Sequence, residues 1–347
     1  MDRFDYVVWQ DREVKFDISN VQHKIRGGEE ILDIFDYVED TKGNPNERGR
    51  LLVTNLRLIW YSLNNNKFNL SIGFNCILTI TLKSVLSKLR GTTLALYILT
   101  LCRNSRFEFI FTNLAQSNTR KFSSVLDVHR SYESTVLYRE LKLRSAIMSS
   151  GHLILLPKEQ VYSTFGGIWN LSSDQGNLGT LIVTNVRVIW YADINETFNI
   201  SLPHMQIASI KIRDSKYGHA LVIQTLETGG GYTLGFRVDP AARLVDVYKE
   251  LDSLFSVYSA TPIFGVTYER KEEAPERDDD TISIDKITEV DESKTDEINT
   301  KFSTYLADGT DNGRRPPFYC KELGFAMEKI KDGFTLKDLW EVIPTTN

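Results

Sequence analysis

The chain has 347 residues, 41 Lys and Arg against 46 Asp and Glu, a formal net charge of -5, and 41% hydrophobic residues. That length suits about two or three domains, and the near balance of charge excludes a strongly cationic nucleic-acid binder. Three scattered cysteines, Cys76, Cys102 and Cys320, exclude a disulfide framework and point to a reduced, intracellular setting.

The first residues carry Asp2 and Asp5 and no apolar run of signal length, so no signal peptide is expected. No stretch approaches about 18 apolar residues, so no transmembrane segment is expected either. Sequons at Asn69, Asn170, Asn195 and Asn199 carry no weight in a cytosolic chain.

An internal repeat sets the architecture. Gly49, Leu51, Val53, Thr54, Asn55, Arg57, Ile59, Trp60 and Tyr61 recur 130 positions on as Gly179, Leu181, Val183, Thr184, Asn185, Arg187, Ile189, Trp190 and Tyr191. The match continues at Asn65/Asn195, Phe68/Phe198, Asn69/Asn199 and Ser71/Ser201. A period of that size is too long for a solenoid repeat and fits a whole small domain. In the first copy, strand-like runs lie at 51–53, 56–61, 68–72, 76–82, 94–101 and 107–112. The second copy continues at 198–202, 207–212, 220–226 and 232–238. Polar or Gly-rich breaks separate these runs, as in an antiparallel barrel or sandwich. Asn55 and Asn185 supply a residue that tolerates the left-handed conformation of a tight reversal, and 229–231 reads as a hairpin turn.

A helix closes each copy. Phe122, Val125, Leu126, His129, Tyr132 and Val136 recur at helical spacing. In the second copy Asp239 is the expected N-cap, with Pro240 at the first helical position and Leu244, Val247, Tyr248, Leu251, Leu254 and Phe255 on one face. Arg57 and Arg187 recur within equivalent strands and predict a shared structural role, a stem packed along the barrel and a head paired with a carboxylate.

Residues 269–297 hold 13 Asp and Glu against 5 Lys and Arg, a net of -8, which leaves +3 for the rest of the chain. So charged a segment reads as a solvated tether, or as one that orders against a basic partner. Beyond it Leu323, Ala326, Met327 and Ile330 share a helical face, and Thr335 with Asp338 starts a second short helix over about 334–343. So short a helix must dock, on the barrels or on a partner.

No catalytic constellation is legible: the chain lacks a Walker A string, H-E-x-x-H and G-x-S-x-G. The five histidines form no pair at helical spacing, and the calcium-like 308–313 run lacks its bidentate carboxylate, with Tyr319 at that position. No metal, cofactor or catalytic residue is expected. The candidate ligand residues are cations that could hold a phosphoinositide headgroup. They are Lys83, Lys88 and Arg90 between two strands of the first copy, and Lys211, Arg213 and Lys216 at the corresponding place in the second. Each triplet also reads as an ordinary solvated loop.

Several strands and one closing helix in each copy resemble the pleckstrin-homology (PH) domain, and the repeated Gly49–Trp60 string resembles its GRAM and GLUE branches. The residues at 40–44, 48–57 and 169–180, with Ile210-Lys211-Ile212-Arg213-Asp214-Ser215-Lys216, Pro262-Ile263-Phe264-Gly265-Val266 and Lys331-Asp332-Gly333-Phe334-Thr335-Leu336, are similar to the Bardet–Biedl syndrome 5 family over essentially the whole chain. The resemblance implies two tandem PH-like barrels and phosphoinositide binding attributed to them. It also implies a subunit of the BBSome, the coat-like adaptor that carries membrane proteins into and out of cilia.

The expectation is therefore a mainly β chain with some α, built as two tandem PH-like barrels. The first domain is placed at 1–145, the second at 146–262, an acidic flexible linker at 263–300 and a tail with short helices at 301–347. The expected function is a non-catalytic adaptor subunit in ciliary trafficking and protein transport. Its partners would be other BBSome subunits, phosphoinositide-containing membrane and, through the complex, ciliary membrane-protein cargo. It would be cytoplasmic, at the cilium, ciliary membrane and basal body, and peripheral on membrane. A pure protein-interaction scaffold without lipid binding is the alternative, and an unrecognised enzyme a third.

Overall fold

The computed structural model describes residues 10–19, 23–65, 67–115, 122–172, 176–269, 304–305, 317–320 and 325–328. The first domain is an eight-stranded antiparallel sheet of β1 (Val14–Phe16), β2 (Ile31–Asp40), β3 (Asn44–Thr54), β4 (Arg57–Ser62), β5 (Asn69–Gly73), β6 (Ile77–Ser87), β7 (Gly91–Cys102) and β8 (Ser105–Asn113). Their order is β6-β7-β8-β2-β3-β4-β5-β1, and α1 (Ser123–Ser134) follows.

The second domain repeats this plan. Three short strands, β9 (Lys142–Leu143), β10 (Met148–Ser149) and β11 (His152–Leu153), lead in. β12 (Val161–Asn170), β13 (Asn177–Thr184), β14 (Arg187–Ala192), β15 (Asn199–Pro203), β16 (Ile207–Ser215), β17 (Gly218–Thr225) and β18 (Thr233–Val238) follow, then α2 (Leu244–Tyr258). The order β16-β17-β18-β12-β13-β14-β15-β9 matches the first sheet strand for strand. Two PH-like units, mostly β and each ending in a helix, are thus the observed fold.

The repeated residues explain the shared hairpin. Leu51, Val53, Leu58 and Trp60 face one core and Leu181, Val183, Val188 and Trp190 the other, as strand alternation requires. Trp60 Nε1 donates to Val38 O at 2.9 Å and Trp190 Nε1 to Ile168 O at 3.0 Å, which satisfies each buried indole. A Cβ on Gly49 would overlap the Trp60 indole, and one on Gly179 would overlap the Tyr191 carbonyl oxygen first and the Trp190 indole next, so both positions are held to glycine.

The two arginines carry the role expected of them. Arg57 and Arg187 are fully buried. Arg57 Nε and Nη2 donate to Glu29 at 2.8 and 3.1 Å, and Arg187 Nε and Nη2 donate to Glu159 at 2.8 and 3.0 Å. The Nη1 groups donate to Ser71 and Ser201, each at 3.1 Å. Thr54 and Thr184 bond the same carboxylates at 3.0 and 2.9 Å.

Several local expectations are corrected. Asn55 and Asn185 do not adopt positive φ. They work through their amides, which bond the chain just before β2 and β12: Asn55 to Glu30 N and Gly28 O, Asn185 to Gln160 N and Lys158 O. Asp239 is not a helix cap. Pro240 is extended, Ala241–Arg243 form one 3-10 turn, and α2 starts at Leu244. In the tail, Phe325–Glu328 (β20) pairs with Pro317–Cys320 (β19), so Ala326 and Met327 lie on a strand and not on a helical face. Four apolar residues at mixed spacing do not separate the two periods, and a paired strand gains the hydrogen bonds that a short isolated helix lacks. Leu323, Ile330, the capped helix over 334–343 and the acidic run beyond residue 269 lie outside the described residues.

The copies are joined by packed chain. Arg139 is buried after α1, its guanidinium 3.6 Å from the Tyr132 ring centroid, and its carbonyl accepts from Gln206 Nε2 at 2.7 Å. Met205 belongs to the first core. Phe264 and Val266, at the start of the span expected as a linker, are buried in that same core.

Removing one partner of a buried ion pair strands the other, at a cost of about 3–5 kcal/mol. Glu159→Ala is expected to lower stability by that amount in urea unfolding, and Glu159→Leu combined with Arg187→Met is expected to recover most of it.

Candidate functional site

Both cation triplets fall on the same element of their copies, the hairpin at the end of the sheet. β6 and β16 are edge strands. On an edge, Lys and Arg also blunt unwanted strand pairing, so position alone does not mark a ligand site.

The first triplet does not converge. Lys83 lies within β6, its Nζ 3.4 Å from the Tyr97 ring centroid. Four residue-to-residue steps of about 3.3 Å each separate it from Ser87 at the strand end, roughly 13 Å. Lys88 is exposed in the turn, and Arg90 Nη1 donates to the Asn113 carbonyl. Lys83 also feels an acid. Burial alone would raise the Glu108 carboxyl, but hydrogen bonds from Lys42 and Tyr97 and the charges of Lys42 and Lys83 hold it below its ordinary value. The cations on this side of the first domain are thus already partly engaged.

The second triplet is more compact. Lys211 and Arg213 are exposed on one face of β16, opposite Val222 and Ala220, about 7 Å apart along the strand. Lys216 stands in the following turn with Nζ 4.9 Å from the Tyr217 ring centroid. Asp214 takes the other face and meets His219 Nδ1 at 2.6 Å. Exposed apolar residues accompany both hairpins: Leu86 and Leu89 beside Lys88, and Ile212 between Lys211 and Arg213.

Among the described residues no group of three or more His, Cys, Asp or Glu side chains is placed to hold a metal. Nor is any helix among them long and apolar enough to cross a membrane. A shallow pocket on the second domain is lined by Tyr162, Asp246, Lys249, Glu250, Ser253 and Leu254, more acid than base.

Sequence reasoning missed a polar centre in the first domain. Asp40, at the end of β2, is fully buried and accepts from Asn44 Nδ2 at 2.8 Å and from the Tyr305 hydroxyl. Burial pushes its carboxyl up to about 6, against the lowering effect of hydrogen bonds from Tyr305, Asn44 and Gly43. Asp40 was visible only as part of a family string. It also missed Glu29 and Glu159, although these are identical at the repeat offset.

Two family models match: "Bardet-Biedl syndrome 5 protein N-terminal PH-like domain" over 29–134, and the second PH-like domain of the same protein over 142–268. A Mus musculus relative, "BBSome complex member BBS5", is 54% identical over 97% of this chain and 98% of its own. The Caenorhabditis elegans "BBSome complex member bbs-5" is 40% identical over 96% and 97%. The solved "Vps36 N-terminal PH domain" aligns with 35% of this chain and 98% of its own at 16% identity, with a TM-score of 0.27, too low to carry an argument.

The raised Asp40 carboxyl fixes a pH trend. The folded chain holds that proton more tightly than the unfolded chain, so the contribution is complete below the ordinary 3.8 and is lost as pH rises through about 6. Urea midpoints of wild type relative to Asp40→Asn should therefore fall across that window, and an offset that does not change with pH would contradict the assignment.

Proposed function

The chain belongs to the Bardet–Biedl syndrome 5 protein family, and from that premise we propose that it is a non-catalytic subunit of the BBSome. The relatives named as members of that complex match over 97–98% of their own length, which supports a whole-chain role. We place the protein on the cytoplasmic side of the ciliary membrane and at the basal body. There it would contact other subunits and, through the assembly, membrane-protein cargo.

In this reading the β16–β17 hairpin is the phosphoinositide contact, with Lys211 and Arg213 on one exposed face and Lys216 at the turn. Each cation near an anionic leaflet contributes about 1 kcal/mol. Three cations give weak affinity that a multivalent coat raises by avidity. Lys88 and Arg90 make a lesser contact in the first domain, and Lys83, turned onto Tyr97, contributes least. The compactness of the second triplet is the observation that carries the assignment.

A pure protein scaffold is the second reading. It is favoured by Leu86, Leu89 and Leu94, exposed on the same hairpin as the first triplet, because clustered apolar surface marks protein interfaces.

Flotation with phosphoinositide vesicles separates the two. The Lys211→Glu, Arg213→Glu, Lys216→Glu variant should lose about a hundredfold in affinity while still co-purifying with the complex. Unchanged flotation would remove the site, and failure of the wild type to assemble with the other subunits would remove the subunit role.

A further inference from the structure

Tyr305 is 3% exposed, although it lies 265 positions beyond the residue that holds its hydroxyl. Its ring centroid is 5.0 Å from that of Phe16 and 5.2 Å from that of Phe109. Its hydroxyl donates to the Asp40 carboxylate and accepts from Asn44 Nδ2 at 2.8 Å. The Gly43 N–H donates to the other Asp40 oxygen at 3.3 Å, so the β2–β3 turn is folded round the phenol. Gly43 itself needs no left-handed backbone. A Cβ there would overlap the ring and hydroxyl of Tyr305, and the three atoms it would meet first all belong to Tyr305. The missing side chain makes room for this ring.

Among the described residues the second domain offers no equivalent. By strand register Leu143 stands where Phe16 does and Leu234 where Phe109 does. At the repeat offset Asn170 replaces Asp40 and Ser173 replaces Gly43. Leu143 is half exposed, whereas Phe16 packs into the first core.

We propose that Phe16, Asp40, Gly43, Asn44 and Phe109 form a tyrosine-reading socket on the first domain, and that its occupant is this chain's own Tyr305. The aromatic walls take the ring. The buried carboxylate and amide favour a hydroxyl, because an occupant without one loses a hydrogen bond to each of them, while Asn44 and Asp40 keep only their bond to one another and that from Gly43. The near end of the intervening chain is fixed to the same domain: Tyr268 packs against the first core, and Thr267 N donates to Ser131 Oγ at 3.2 Å. Seating Tyr305 therefore brings the chain back to the first domain 37 positions after Tyr268. Because the tether is covalent, occupancy is independent of protein concentration.

Chymotrypsin cleaves after accessible aromatic residues, so its initial rate at position 305 of the full chain, read by mass spectrometry, reports occupancy. Cleavage there should be slow in the wild type, and equally slow after tenfold dilution. Gly43→Ala should accelerate it at least tenfold with unchanged far-UV circular dichroism. Tyr305→Phe should fall between, since it keeps the ring and loses the hydroxyl's bonds, and this comparison stands even if Gly43→Ala disturbs the turn. Wild-type-like protection in Gly43→Ala would overturn the socket. Full protection in Tyr305→Phe would overturn its selectivity for tyrosine. Protection that weakens on dilution would make a second copy the occupant and overturn the intramolecular latch.

Discussion

A guanidinium sealed from water must be neutralised where it lies, and in each copy of this fold that requirement draws three separate stretches together. Arg57 reaches from β4 to Glu29 ahead of the first long strand, to Ser71 on the neighbouring strand and to the Lys24 carbonyl. Arg187 makes the same set with Glu159, Ser201 and the Ile154 carbonyl. Both oxygens of each carboxylate are engaged, a geometry that arginine's planar fork satisfies and lysine's point charge does not. A one-residue slip of β4 or β14 would turn the arginine to the other face and separate it from its acid. The ion pair thus works as a register lock, with the indoles of Trp60 and Trp190 as a second pin.

The two units are also fixed to one another. Tyr138 donates to Pro157 O at 2.5 Å, Gln206 to the Arg139 carbonyl, and Arg12 to Thr228 O at 3.1 Å. Residues just after α2 return to the first domain, where Phe264 and Val266 fill its core. The edge hairpins β6–β7 and β16–β17 are therefore presented in a set relation. In the proposed membrane contact that would matter more than the strength of either hairpin, because simultaneous engagement depends on geometry.

Near-identical scaffolds diverge at their surfaces. The first domain turns two of its cations inward, Lys42 to Glu108 and Lys83 over Tyr97, and buries an aspartate under an aromatic cap. The second has Ser172, Thr233 and Val222 where Lys42, Glu108 and Tyr97 stand in the first, so its counterpart network is absent, and its cations point outward. Shared core residues keep the fold, and exchanges at a few outward or mouth positions give the copies different surfaces.

Much of this was legible in the sequence. The repeat of Gly49–Tyr61 at 179–191 fixed the tandem plan, and the apolar stripes found both closing helices, because alternation and helical period are local properties of a chain. β2 and β12 escaped notice: Asp33, Asp36, Glu39 and Asp40 interrupt the one, and Gly166 and Gly167 the other. The cations could be named, but whether they converge depends on which strand face each occupies. Glu29 and Glu159 were within reach of the repeat offset. Tyr305 was not, since nothing local links it to Asp40. What the sequence determined alone was the pair of sheets and their shared core, set by short-range patterns of apolar residues. Only the tertiary structure decided which charges are buried, which cations remain outward and which distant tyrosine closes the first domain. Those outcomes rest on contacts between residues far apart in the chain, to which sequence periodicity is blind.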